Sequence, residues 1–370
     1  MRDFRMGGGE KSTVSLMNYL VQSCFDISVV VLNDAGPLKG ELATEIKLLS
    51  LHTSQGNAIL FLPRLIGVGQ KLRSLLKQIR PDVVVGTSWF LNLTAASIIH
   101  DIHSMGARFL MINHNPVRDL VLRSTCFSLL APVKRLITGL LFGRADMVVA
   151  ITDVMRDDLK KFLNLQDSNM VVIRNGISCE LTQSRAKEDA EISSLATPYL
   201  VYVGRLEHEK GVDLLIEAFE TVACKLPHCL LIVGDGSQRA DLEQMVKRAH
   251  LAERVYFPGE LTNPYPAMKR ADFIVLPSRW DAFPYVLLES LALELPIIST
   301  DCEGPVKILD NGEYGVIVKK GEVSNLAAAI VHFGTNDSLR NSFKSKSLTR
   351  AMEFNSDRMM TQYESLFAKL

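Results

Sequence analysis

Short runs of β-branched and other apolar residues alternate along this chain with longer stretches whose apolar positions recur at helical spacing. That rhythm predicts parallel α/β sheets, because parallel strands need helical crossovers and are buried by them on both faces. In the first half the strand candidates are residues 27–32, 83–85, 109–112 and 147–150, and the run at 171–173 leads into the turn signal Asn175-Gly176. The rhythm restarts at 199–203 and continues at 230–233, 255–257, 273–276, 297–299 and 315–318. Helical patterns follow these strands, for instance at 212–225 and 237–249, and an amphipathic helix closes the chain at 355–370. Between the halves, residues 178–198 are polar and weakly periodic, which predicts a linker. The expected architecture is α/β: two doubly wound Rossmann-like domains, 1–177 and 199–354, facing each other across a cleft, with the last helix packing back on the first domain.

The start departs from this pattern. A doubly wound domain opens with a central strand whose end carries a glycine loop. Here Gly7-Gly8-Gly9-Glu10 follows only MRDFRM, which is too short and too polar for a full strand. The first strand is therefore expected to be vestigial or cut short, with residues 1–6 supplying a makeshift strand or leaving a gap.

At 370 residues the chain has room for two domains, and its 47% apolar content can fill two cores. Lys plus Arg equal Asp plus Glu at 41 each, so nothing marks nucleic acid as a partner. No apolar run is long enough to span a bilayer, and no secretory leader is visible. The six cysteines lack metal-site spacing and read as reduced thiols, which predicts a cytoplasmic protein.

The densest chemistry lies in VLPSRWDAFPYVLLESLALELPIISTDCEGP, residues 275–305. A strand ends at Pro277-Ser278, Asp281 follows in the loop, and Glu289 sits one turn inside the next helix, with Phe283-Pro284 between them. Two carboxylates and a helix N-terminus at the carboxyl end of a parallel strand suit a phosphate and sugar or ribose hydroxyls. The competing reading is a solvated helix with two incidental acids. In VGRLEHEKG, Gly204 ends a strand, and Arg205 and Lys210 flank the loop before a helix. An Arg fork and a Lys point charge there suit a diphosphate; alternatively both are surface cations paired with Glu207 and Glu209. His114, at the end of the apolar run 109–112, is expected at the sheet's carboxyl edge. Gly7, Gly8 and Gly9 would let backbone approach a ligand, or would simply make a tight turn. No metal-ligand spacing is visible, so no metal cofactor is expected, and Arg205 and Lys210 would carry the phosphate charge.

Residues 118–144 mix Arg118, Arg123, Lys134, Arg135 and Arg144 with Leu120, Val121, Leu122, Phe127, Leu136, Ile137, Leu140 and other apolar side chains. That composition fits a helix lying on an anionic membrane surface; the other reading is an ordinary helix covering the sheet.

Taken together, these elements resemble the retaining glycosyltransferases of family four, which have the GT-B fold. The resemblance rests on the Gly7–Glu10 loop, His114 at its strand end, the pattern from Val203 to Gly211, and Asp281, Phe283, Pro284 and Glu289, all in the family's order. Asn175-Gly176 and Asp235-Gly236-Ser237 also fit. Thr300–Tyr314 looks like a subgroup whose members act on lipid-linked glycans or on surface polysaccharides such as lipopolysaccharide, often with UDP-hexose or UDP-N-acetylhexosamine. Asp281 departs from the family's glutamate and is one methylene shorter.

The resemblance implies retaining transfer of a hexose or N-acetylhexosamine from a nucleoside diphosphate sugar, UDP-linked, to a glycan or lipid-linked glycan. It implies donor binding by Gly204, Arg205, Lys210, Asp281, Phe283, Pro284 and Glu289, with Glu289 on the ribose. Arg205 and Lys210 would stabilise the leaving diphosphate, and Asp281 would take sugar hydroxyls. His114 and Gly7–Gly9 would close over sugar and diphosphate. The donor is a substrate and no cofactor is implied. Two other readings stay open: a non-hydrolysing UDP-sugar 2-epimerase of the same fold, and a non-catalytic subunit that binds a partner enzyme.

Overall fold

The computed structural model describes residues 1–5, 7–53, 61–114, 117–122, 131–189 and 198–370. The chain divides into two compact units, Met1–Arg174 with Met359–Leu370, and Asn175–Arg358. Both are α/β with parallel strands, as the alternating pattern predicts.

In the first unit, strands β1 (Ser28–Val31) and β2 (Lys47–Ser50) pair in parallel, and β3 (Val83–Gly86), β4 (Arg108–Asn113), β5 (Met147–Ala150) and β6 (Met170–Val172) form a separate four-stranded parallel sheet. Among the described residues β1 and β3 are not paired. Residues 1–5 run along the end of β1 instead: Leu32 N–H and Asn33 N–H both donate to the Arg2 carbonyl at 3.2 Å, and Phe4 N–H donates to Ala35 at 2.9 Å. Phe4 is fully buried with Val14, Val29, Val31, Leu38 and Ile46. Burial of a phenylalanine side chain is worth about 1.5–3 kcal/mol, which anchors this segment without regular strand pairing.

The helix Gly8–Gln22 packs Leu16 and Leu20 against Leu110 and Ile112 of β4 and Val149 of β5. Met359, Met360 and Tyr363 of the helix Ser356–Phe367 join the same core, so the end of the chain belongs to the first unit.

The second unit holds β7 (Tyr199–Val203), β8 (Cys229–Val233), β9 (Val255–Gly259), β10 (Phe273–Leu276), β11 (Ile297–Thr300) and β12 (Val316–Val318). Their spatial order is β12-β11-β10-β7-β8-β9, all in parallel. The strand order reverses between β7 and β10. Connections leaving those two strands depart in opposite directions and open a crevice at their carboxyl ends, the usual ligand position in such sheets.

Two expectations need correction. β2 was not anticipated; KLLS is short and lacks the β-branched run of its neighbours. The expected linker is in part a helix, Cys179–Arg185, belonging to the second unit. Ser178 caps it by accepting from Leu181 N–H, and Gln183 donates to the Ala292 carbonyl at 3.0 Å. Weak periodicity hid it because tertiary contacts rather than an apolar stripe hold it. Residues 190–197 of that stretch lie outside the described residues.

Candidate functional site

The loop after β7 and the loop after β10 meet at the switch point of the second sheet. Gly211 makes that meeting possible. It takes the left-handed conformation (φ 66°), and a Cβ there would lie 2.3 Å from the Pro277 carbonyl oxygen. Only glycine lets the two backbones come this close. Arg279 N–H then donates to the Glu209 carbonyl at 2.9 Å, and the Arg279 guanidinium grips Asp213 with two hydrogen bonds of 2.7 and 2.6 Å. Burial pushes the Asp213 carboxyl up, but its bonds to Arg279 outweigh this and hold it below its ordinary value.

The result is contact between residues 71 positions apart: Lys210 Nζ lies 2.5 Å from Asp281 Oδ2. Their side chains are 18% and 8% exposed, so the pair is sheltered. Ser278 Oγ stands 3.5 Å from the same carboxylate oxygen, and Gly304 N–H donates to the Asp281 carbonyl at 3.2 Å. Arg205 takes the partner expected of a surface cation, Glu209, at 3.1 Å, and its side chain is 49% exposed. Glu207 turns away from both cations to accept from Ser237 N–H and Oγ, at 3.2 and 2.6 Å. Gly204 follows β7 directly, and Tyr202 Oη donates to the Arg205 carbonyl at 2.8 Å, fixing the base of the loop.

Phe283 and Pro284 precede the helix Tyr285–Ala292, and Pro284 is its N-cap. Glu289 is only 2% exposed. Tyr265 Oη donates to its Oε1 at 2.9 Å. Burial, and after it the Glu289 charge, pushes the Tyr265 phenol well above its ordinary value, which keeps it a donor. Thus Asp281 faces Lys210 while Glu289 faces Tyr265. Sequence reasoning missed Tyr265, Ser278 and the Arg279–Asp213 clamp; each is a common residue in a loop or helix start with no spacing signal.

In the first unit, His114 directly follows β4 as expected. Gly9 packs on it: a Cβ there would come within 3.1 Å of the His114 Cγ. Both imidazole nitrogens are enclosed and lack a partner among the described residues, although the residue as a whole is half-buried. Burial lowers its pKa to about 4, so the ring is neutral. Each unsatisfied buried polar atom costs about 1–3 kcal/mol, a cost that a ligand hydroxyl would relieve. The helix Gly8–Gln22 starts at this point with Gly7 as N-cap, and a Cβ on Gly7 would lie 2.1 Å from a Glu10 carboxylate oxygen. Glu10 therefore lies over the helix N-terminus, where a negative charge is stabilised. No cluster of three or more potential metal ligands occurs among the described residues.

Comparison with known proteins gives two family models that tile the chain: Glycosyltransferase Family 4 over residues 6–181 and Glycosyl transferases group 1 over residues 184–350. The chain is similar to the N-acetylgalactosamine-N,N'-diacetylbacillosaminyl-diphospho-undecaprenol 4-alpha-N-acetylgalactosaminyltransferase of Campylobacter jejuni, with 25% identity over 94% of this chain and 92% of the relative. Among solved structures it resembles the sucrose-phosphate synthase of Thermosynechococcus elongatus (TM-score 0.81, 18% identity, 98% and 93% of the two chains). It also resembles Anabaena HepE in complex with UDP (TM-score 0.75, 18% identity, all of both chains). The structural likeness shows the fold, which is GT-B.

The buried neutral His114 makes stability depend on pH. An unfolded histidine titrates near 6.5, and the folded one near 4. Between those values the unfolded chain binds a proton that the folded chain refuses. This contribution is full above pH 6.5 and is lost as the pH falls through the window. At pH 5 the loss is at most about 2 kcal/mol, less in proportion to the solvent reaching the ring. His114→Gln should show a smaller fall in urea midpoint from pH 7 to pH 5 than the wild type; equal falls would contradict the assignment.

Proposed function

This chain belongs to glycosyltransferase family 4 and is a glycosyltransferase, and we propose that it moves a hexose or N-acetylhexosamine from a UDP-sugar to a glycan or lipid-linked glycan, with retention at the anomeric carbon. The observation that carries this reading is the meeting of the Lys210 and Asp281 loops at the switch point of the second sheet. A lysine, an arginine and a sugar-accepting carboxylate lie there within two loops. Lys210 and Arg205 meet the diphosphate and stabilise the charge that grows on it as the glycosidic bond breaks. Asp281 and the backbone at Phe283-Pro284 accept and orient sugar hydroxyls. Glu289, oriented by Tyr265, serves the ribose. In the first unit, neutral His114 and the Gly7–Gly9 backbone offer hydrogen-bonding groups to a polar ligand. The lipid-diphosphate substrate in the Campylobacter relative's name and the UDP in the HepE complex support the substrate classes. The reaction belongs in this reading to surface polysaccharide biosynthesis. It needs no divalent metal in this reading, since Lys210 and Arg205 meet the diphosphate by exchanging their carboxylate partners for it.

A peripheral place on the inner face of the cytoplasmic membrane fits the same reading. Among the described residues no helix is long and apolar enough to cross a membrane. Of segment 118–144, residues 123–130 lie outside the described residues; the rest includes the helix Ala131–Phe142. Its Val133, Leu136, Ile137 and Leu140 are exposed, Leu136 and Leu140 at 62% each. Their spacing puts them on one outward stripe, inverted with respect to a helix that merely covers a sheet. Arg135 stacks on Phe162 beside this stripe, and Arg144 is exposed at the helix end. An adjoining groove of about 960 Å³, lined by Leu136, Gly139, Leu140, Phe142, Leu165 and Met170, contains none of the donor-side residues. Apolar insertion flanked by basic side chains matches an anionic lipid surface.

Lys210→Ala and Arg205→Ala should each lower kcat with UDP-sugar by roughly 100-fold or more, on the order of 3 kcal/mol in the barrier, without changing sugar preference. Wild-type turnover in either variant would contradict the diphosphate role. EDTA should leave the rate unchanged, and full loss restored by manganese would contradict metal independence. In flotation with vesicles, binding should require anionic lipid and weaken as salt rises. Replacing Leu136 and Leu140 with Gln should abolish it, whereas equal partition of wild type and variant would return this helix to an ordinary surface element.

A further inference from the structure

Both cations assigned to the diphosphate are already neutralised within the chain, in different ways. Arg205 shares an exposed pair with Glu209, which water and salt weaken. Lys210 is held by Asp281 at 2.5 Å in a sheltered site. Ser278 Oγ also stands 3.5 Å from that carboxylate oxygen. A diphosphate arriving at Lys210 therefore meets a carboxylate as well as an ammonium. Removing the ammonium's attention from Asp281 leaves a buried carboxylate short of donors, which is costly. Hydroxyls of the transferred sugar can supply those donors; a bare nucleoside diphosphate, whose ribose hydroxyls are assigned to Glu289, brings none to Asp281.

We propose that Asp281 is a specificity-determining counter-ion that couples sugar recognition to diphosphate binding. The inference rests on the UDP-sugar reading above. When an intact donor binds, its hydroxyls satisfy the carboxylate and Lys210 turns to the diphosphate. After transfer the sugar is gone, Asp281 reclaims Lys210, and the nucleoside diphosphate product is held more weakly than the donor. The aspartate's short reach suits this role, because it keeps the carboxylate against Lys210.

The test is isothermal titration of the full chain with UDP and with UDP-glucose. Asp281→Asn, close in shape and without charge, should bind UDP about tenfold tighter than wild type, while UDP-glucose gains little or loses affinity. Adding Lys210→Ala should erase the gain for UDP. Asp281→Ala should shift the ratio the same way, and thermal melts of each variant establish that it is folded. Unchanged or weaker UDP binding in both folded Asp281 variants, with Lys210→Ala alone weakening UDP, would overturn the coupling and leave the donor reading standing. An equal gain for both probes would likewise overturn it. Absence of any UDP or UDP-glucose binding to wild type would remove the donor reading and this inference together.

Discussion

The close approach of Gly211 to the Pro277 carbonyl is the constraint on which the candidate site depends. It forces the loop after β7 onto the loop after β10 at the one place where the strand order of the second sheet reverses. The Arg279–Asp213 clamp and the Arg279 N–H bond to Glu209 hold that junction from the outer side. Without it Lys210 and Asp281 are merely two residues 71 positions apart. The preorganisation matters because a cation placed in advance costs no reorganisation when charge develops on a leaving group.

A second regularity is that the chain answers its own charges. Asp281 covers Lys210, Glu209 covers Arg205, and Glu10 lies over the N-terminus of the helix Gly8–Gln22. In the second unit two acids thus stand close to where the donor's phosphate and sugar oxygens are proposed to bind, and in the first unit Glu10 sits at its own helix start. Sheltered charges must be paired to be tolerated, and that holds for Lys210 and Asp281, whereas the more exposed Arg205 and Glu209 depend less on each other. The His114 nitrogens have no partner among the described residues.

Much of this was legible in the sequence, for identifiable reasons. β7 and β10 were bounded correctly because β-branched and aromatic runs end at Gly204 and at Pro277. Lys210 and Arg205 stood out through the flanking glycines. What the sequence could not show was pairing. Spacing suggested that Asp281 and Glu289 act together, yet one faces Lys210 and the other is buried against Tyr265, a residue 24 positions upstream of Glu289. The helix Cys179–Arg185 escaped because its support comes from Ala292 and Asn263, contacts about 80 to 110 positions away. β2 escaped because four residues carry too little periodicity to register. Local pattern reports local structure, and these features are long-range.

The central claim is that the Gly211 junction builds a diphosphate site. The most direct measurement is the UDP affinity of Gly211→Ala by calorimetry, beside its thermal melt. A methyl group 2.3 Å from the Pro277 oxygen must part the two loops. UDP affinity should fall by at least about tenfold, about 1.4 kcal/mol, while the chain still melts cooperatively. Wild-type UDP affinity in a folded Gly211→Ala chain would contradict the claim.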